Sequence, residues 1–207
     1  MASHSEMTFY HGTMGSRKSL ELMIDQYRRE VKMHHNTLII KPGDDLKAGT
    51  NIQTRFGGEE RAAVVMPGDV DATAFVREHI RKELGGRAWT FYLDEINFFT
   101  PAQICSLREN IVDEDVADVK MYGLLMDAFG NLFPGSEAAL RYADHIIQLD
   151  NTCDNDGCDR IAIRNTRIEN GSIVYEGPQI AIDGIDAEYM SLCNRDYRHG
   201  IVRPSAQ

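Results

Sequence analysis

The stretch GTMGSRKS, Gly12 to Ser19, decides how the rest of this chain is read. A phosphate-cradling P-loop has the form G-x-x-x-x-G-K-[ST], and seven of these eight residues satisfy it. The exception is Arg17, which stands where a glycine precedes the lysine. In such a loop the backbone N–H groups and the dipole of the following helix face the phosphates. The lysine bridges phosphoryl oxygens, and the hydroxyl residue binds magnesium. Lys18 and Ser19 fit those two roles, and Gly12, Thr13, Met14, Gly15, Ser16 and Arg17 complete the candidate phosphate-binding segment. A side chain at position 17 costs about 1–3 kcal/mol if the backbone there has a positive φ. Its guanidinium has the charge that suits a phosphate, and it can also point outward. The other reading of the stretch is a glycine-containing turn into a helix that happens to begin Lys-Ser.

Working outward from the loop, MTFYHG before it reads as a strand and Leu20, Met23, Ile24, Tyr27 and Val31 after it recur at helical spacing. Further strands are expected at Thr37 to Ile40, in RAAVVMPGDV, AWTFYLDEINFF and DVKMYGLL, and at the end of SEAALRYADHIIQLD. Helices are expected from an Asp71 cap to Gly85-Gly86, from Pro101, and from a Ser136 cap. Gly43 to Glu60 reads as a long loop with no element of its own. Alternating apolar strands and helices predict an α/β fold, a P-loop NTPase-like, mostly parallel sheet with helices on both faces over residues 1–150. Ligands of such sheets bind beyond the carboxyl ends of the strands. Residues 151–207 differ in character, with β-like runs around the Asn170-Gly171 turn signal and cysteines on either side. They predict a small zinc-ribbon-like β-hairpin domain.

Composition narrows the function. The chain has 207 residues, 32 acidic against 22 basic, and a net charge of −10, which argues against nucleic acid as a partner. No apolar run is long enough for a membrane helix and no secretory leader is evident, so a cytoplasmic enzyme with a small ligand is expected. Asp94 and Glu95 end an apolar strand in LDEINFF. Side chains alternate across a strand, so one acid would face metal and phosphate and the other a substrate hydroxyl, a division suited to phosphoryl transfer. Two solvated acids at a strand end is the plainer reading. Cys153, Cys158 and Cys193 offer three thiolates for a tetrahedral zinc site, with Asp196 as the first candidate for the fourth ligand and His199 as the alternative. Cys105 reads as a small core residue.

Taken together, FYHGTMGSRKSLELM, IIKPGDDLKAGTNIQTRFGGEERAAVV, FYLDEINFF, MYGLLMDAFGNLFPGS and the cysteine-bearing hairpin resemble, in order and over about Thr8 to His199, the type II, zinc-containing thymidine kinases. The resemblance implies transfer of the γ-phosphate of ATP to the 5′-hydroxyl of thymidine, in nucleoside salvage, with magnesium. It implies Glu95 as general base, Asp94 and Ser19 with magnesium, Lys18 on the donor phosphates and Arg55 as a lid arginine. Met14, Leu124, Phe133 and Tyr189 match the walls of the base pocket, and Phe129 is the nearest aromatic for stacking. Feedback inhibition by thymidine triphosphate and a homotetramer are further implications. The chain departs from the family pattern at Arg17, at Ala128 where an aromatic usually follows the aspartate, at Asn97 for glutamine, in the wide Cys153–Cys158 spacing and at Asp196. A catalytically impaired nucleotide-binding or regulatory protein is the alternative that Arg17 raises.

Overall fold

The structure, a computed structural model, describes residues 4–43, 51–53, 60–82, 86–177 and 188–204. Six strands form one parallel sheet: β1 (Met7–His11), β2 (Asn36–Pro42), β5 (Val64–Met66), β6 (Trp89–Leu93), β7 (Ala117–Gly123) and β8 (His145–Gln148). Their spatial order is β5-β2-β6-β7-β1-β8, and each pairing is parallel. The inner strands read as apolar runs because the sheet is covered there on both faces, whereas the edge strand β8 is exposed along its length. On one face Phe9, Ile40, Phe91, Leu93, Val119 and Met121 meet α2 (Ala72–Lys82), α3 (Pro101–Leu107) and α4 (Pro134–Tyr142). On the other, Ile39, Tyr92 and Tyr122 meet Leu22 and Met23 of α1 (Lys18–Tyr27).

Local signals account for most of the helix starts. Asp71 Oδ1 accepts the Ala74 N–H at 2.7 Å, a cap before α2. Thr100 and Gln103 close a capping box over α3, with Pro101 at its first position. The end of α4 differs from expectation. Phe133 occupies the cap position and Pro134 opens the helix, while Ser136 lies inside it and donates to the Leu124 carbonyl at 2.5 Å. The apolar stripe of α1 is also only partly buried. Leu22 and Met23 face the sheet, whereas Ile24 and Tyr27, and Val31 in the π-helical turn Arg28–Lys32 that continues the helix, stay exposed.

The stretch from Gly43 to Glu60 carries structure that its polar composition hides. Asn51–Gln53 (β3) pairs antiparallel with Glu60–Ala62 (β4), and Ala63 separates β4 from β5. Ile52 and Ala63 join the core under α1. Past residue 150, β9 (Arg164–Glu169), β10 (Ser172–Ile173) and β11 (Glu188–Leu192) make an antiparallel sheet in the order β10-β9-β11, followed by α5 (Asn194–Arg198). Asn170 and Gly171 join β9 to β10 with φ of 50° and 71°, the two-residue turn of positive φ that the dipeptide predicts. Among the described residues no helix is long and apolar enough to cross a membrane.

Candidate active site and metal centre

The loop after β1 has the shape that a phosphate requires. Gly12 is obligatory, because a Cβ there would sit 2.7 Å from the Leu149 carbonyl oxygen. Gly15 has φ +80° and Arg17 φ +62°, so the position that breaks the motif keeps the left-handed conformation that makes glycine usual there. The Arg17 side chain is exposed and lines an outer cavity of about 520 Å³ with Leu20, Asp150, Asn151, Asp159 and Ile161. Lys18 Nζ folds over the loop, donating to the carbonyls of Thr13 at 2.8 Å and Gly12 at 3.2 Å. Ser19 follows in the first turn of α1.

The acid pair stands at the end of β6, with β7 between it and β1. Strand alternation does not separate the two acids. The strand ends at Leu93, the buried Asp94 donates its N–H to the Ile40 carbonyl at 2.9 Å, and Glu95 turns the chain with φ +52° into a short 3₁₀ turn, Ile96–Phe98. A left-handed glutamate is a strained conformation of the kind that accumulates at functional sites. Gly135 lets α4 pack beneath this turn, since a Cβ would meet the carbonyls of Ile96 and Phe99. Burial, and then the charge of Glu95, push the Asp94 carboxyl up to about 7. Lys41 and Lys18 oppose that rise, so the lysine of the loop and the acid pair of β6 share one electrostatic neighbourhood.

The residues expected to wall a base pocket begin where β7 ends. Asn97 Oδ1 accepts the Leu124 N–H at 3.0 Å, while its Nδ2 is buried with no hydrogen-bond partner among the described residues. Asp127 closes the next turn, accepting the N–H groups of Phe129 at 2.9 Å and Asn131 at 2.8 Å. Phe133 meets Phe98 edge-on, ring centroids 6.2 Å apart. Ala128 is buried and Phe129 is half-buried, so the aromatic one place later is the one available at this turn. Tyr189 lies on β11, opposite Arg167 of β9, and is partly exposed. Arg55 lies outside the described residues.

The cysteines come together in three dimensions. The ligand atoms of Cys153, Cys158, Cys193 and Asp196 all lie within 4.8 Å of one another. Cys158 and Cys193 Sγ are 4.0 Å apart, and Asp196 Oδ2 lies 3.7 Å from Cys153 Sγ. Backbone N–H groups of Cys193 and Asp196 point at the sulfurs of Cys153 and Cys193, at 3.3 and 3.5 Å. Asn155 Nδ2 donates to Asp196 Oδ2 at 2.8 Å and orients that carboxylate. Burial pushes the Cys153 thiol up to about 11, an effect that a divalent cation among these atoms would reverse. Three sulfurs and one oxygen at this separation fit a metal such as zinc. His199, at the C-terminal end of α5, is not in the group.

A model of the thymidine kinase family matches residues 5–197. The chain belongs to the thymidine kinase family. A thymidine kinase of Legionella pneumophila (strain Paris) is 35% identical over 201 residues, covering 95% of this chain and 90% of the relative. Thymidine kinases of Lactobacillus johnsonii and Idiomarina loihiensis are each 30% identical over 198 residues, spanning 97% and 98% of their own lengths. Membership makes this chain a kinase, and so an enzyme.

Several polar residues at the site carry no sequence signal. Lys41 lies among strand residues of β2. Asn151, Asn165 and Ser191 are ordinary polar residues in and around the cysteine-bearing module. Only the folded chain brings these three to the phosphate loop.

Proposed function

We propose that this kinase transfers the γ-phosphate of ATP to the 5′-hydroxyl of thymidine, giving thymidine monophosphate and ADP. The observation that carries the reading is that the Lys18-bearing loop after β1 and the Asp94–Glu95 turn after β6 both leave the carboxyl ends of parallel strands of one sheet, where ligands of such sheets bind. The family match and the names of its relatives support thymidine as the acceptor.

Glu95 acts as general base and takes the proton of the 5′-hydroxyl. The freed oxygen electron pair forms the bond to the γ-phosphorus, and the bond from phosphorus to the bridging oxygen breaks, leaving its electrons on ADP. Lys18 and the N–H groups opening α1 hold the donor phosphates, with Gly12, Thr13, Gly15, Ser16 and Arg17 forming the cradle. The outward path of Arg17 supports a loop still able to receive phosphate. Magnesium, when bound by Ser19 and Asp94, supplies positive charge at the phosphoryl oxygens. Met14, Leu124, Phe129, Phe133 and Tyr189 wall the thymine site, and Arg55 completes the lid.

Zinc at Cys153, Cys158, Cys193 and Asp196 organises the module from residue 151 onward. Two further features are carried from the family: inhibition by thymidine triphosphate and a cytoplasmic homotetramer. Exposed Ile24 and Tyr27 on α1 and Val31 in the turn that follows it, with Ile146 and Ile147 on the edge strand β8, support contact between copies of the chain.

The test is Glu95→Gln, which keeps the shape and removes the base. Formation of thymidine monophosphate from ATP should fall at least a thousandfold, with thymidine affinity within a few fold of wild type. Full turnover in that variant would remove Glu95 from the role.

A further inference from the structure

The backbone of Met14, in the middle of the phosphate loop, is gripped by side chains from far along the chain. Asn165 Oδ1 accepts the Met14 N–H at 2.8 Å. Asn151 Nδ2 and Ser191 Oγ donate to the Met14 carbonyl at 3.0 and 2.7 Å, and Asn151 Nδ2 also reaches Thr13 Oγ1 at 3.2 Å. Asn165 and Ser191 are buried. The Met14 N–H is therefore committed to a side chain, so phosphate contacts fall to the rest of the loop and the start of α1.

The same residues are tied to the cysteine cluster. Ser191 and Asp154 bond reciprocally: the Ser191 N–H donates to Asp154 Oδ2 at 2.5 Å, and the Asp154 N–H donates to the Ser191 carbonyl at 2.9 Å. Asp154 adjoins Cys153, and Ser191 lies two residues before Cys193. Asn151 opens the loop that carries Cys153 and Cys158, and its carbonyl accepts the Ala162 N–H at 2.8 Å. Asn165 pairs with Ser191 across β9 and β11, and its Nδ2 donates to the Met126 carbonyl at 3.3 Å. A metal drawing the four ligands together would fix both ends of this module directly beside the loop.

We propose that Asn151, Asn165 and Ser191 are positioning residues that seat the phosphate loop on the cysteine-bearing module, so that the metal state of the cluster sets the order of residues 12–17. Its catalytic consequence rests on the kinase reading; the mechanical link does not. A rigid cradle spends less binding energy on ordering when a triphosphate arrives. Loss of the metal would therefore be felt in the binding of the donor phosphates.

Hydrogen exchange on the full chain without nucleotide tests the link. In zinc-loaded Ser191→Ala and Asn165→Ala, the amides of residues 12–17 should exchange at least tenfold faster than in wild type, and Ser191→Thr, which keeps the hydroxyl, should restore protection. Chelation of wild-type zinc should give the same loss while β6 and β7 amides stay protected. Unchanged exchange at residues 12–17 in the two alanine variants overturns the proposal, as does a chelation effect spread evenly over β6 and β7. For the catalytic arm, the KM for ATP should rise about tenfold in Ser191→Ala and return in Ser191→Thr. An unchanged KM would overturn the catalytic consequence. Failure of wild type to form thymidine monophosphate would sink the kinase reading, and the exchange experiment would still decide the link.

Discussion

Asn97 and Leu124 are joined by a single hydrogen bond, side-chain oxygen to backbone N–H at 3.0 Å, that ties the turn after Glu95 to the first residue beyond β7. The Leu124 carbonyl is held in turn by Ser136 of α4. The proposed base and the proposed wall of the nucleoside pocket are thus fixed to each other through two buried side chains. Removing the acceptor leaves the Leu124 N–H without its partner, at a cost of about 1–3 kcal/mol. In Asn97→Ala we expect the KM for thymidine to rise about tenfold with the KM for ATP little changed. Steady-state kinetics with each substrate varied will check this, and an equal rise for both would refute it.

Arg17 adopts a conformation that costs any residue with a Cβ about 1–2 kcal/mol. Arg17→Gly should therefore be more stable than Arg17→Ala by about 1 kcal/mol in urea denaturation, after allowance for the greater freedom of glycine in the unfolded chain. Because the guanidinium is exposed, phosphate transfer should persist in both variants. Equal stability of the two would contradict the left-handed backbone at this position.

Under α1, Asp25 Oδ2 accepts from Lys120 Nζ at 2.6 Å and from the Tyr92 hydroxyl at 2.7 Å. Burial alone would raise the Asp25 carboxyl, but these bonds and the charges of Lys120 and Arg29 hold it below the usual carboxylate range. A carboxyl depressed by folding contributes stability that is complete above its unfolded value and lost as pH falls through the folded one. The window therefore lies below about pH 4. Asp25→Asn should lose about 3 kcal/mol at neutral pH, since it strips a buried lysine of its partner. Below the window the two proteins should converge. Thermal melts across pH will show whether the gap closes on acidification.

The metal centre predicts composition as well as stability. Purified protein should carry about one zinc per chain by elemental analysis. Cys193→Ser should lose it and melt at a lower temperature, because binding energy at such a site is folding energy. His199→Ala should keep full zinc and Asp196→Ala should not. Zinc lost from His199→Ala would move the fourth ligand to that histidine.

The order of strands and helices was legible because apolar runs, Gly and Pro stops and caps such as Asp71 are local. The hairpin at Asn170-Gly171 was legible for the same reason, as was the loop at Gly12. Ser136 misled because a serine near a helix start can cap it, yet here the preceding Pro134 begins the helix and the hydroxyl answers Leu124 instead. The pair β3–β4 was hidden because its pairing partner supplies what three-residue strands lack in propensity.

Taken alone, the amino-acid order made the α/β architecture, the glycine-bearing loop after β1, the acid pair and the three candidate cysteines legible, since strand and helix patterns, turn residues and side-chain chemistry are read locally. Tertiary structure alone decided that Glu95 departs from the strand by a left-handed turn, that Asp196 joins the cysteines while His199 does not, and that three polar side chains from the C-terminal module hold Met14. The reason is distance: bonds between residues from about forty to more than a hundred positions apart depend on how the sheet and the hairpin pack, and no local pattern records that.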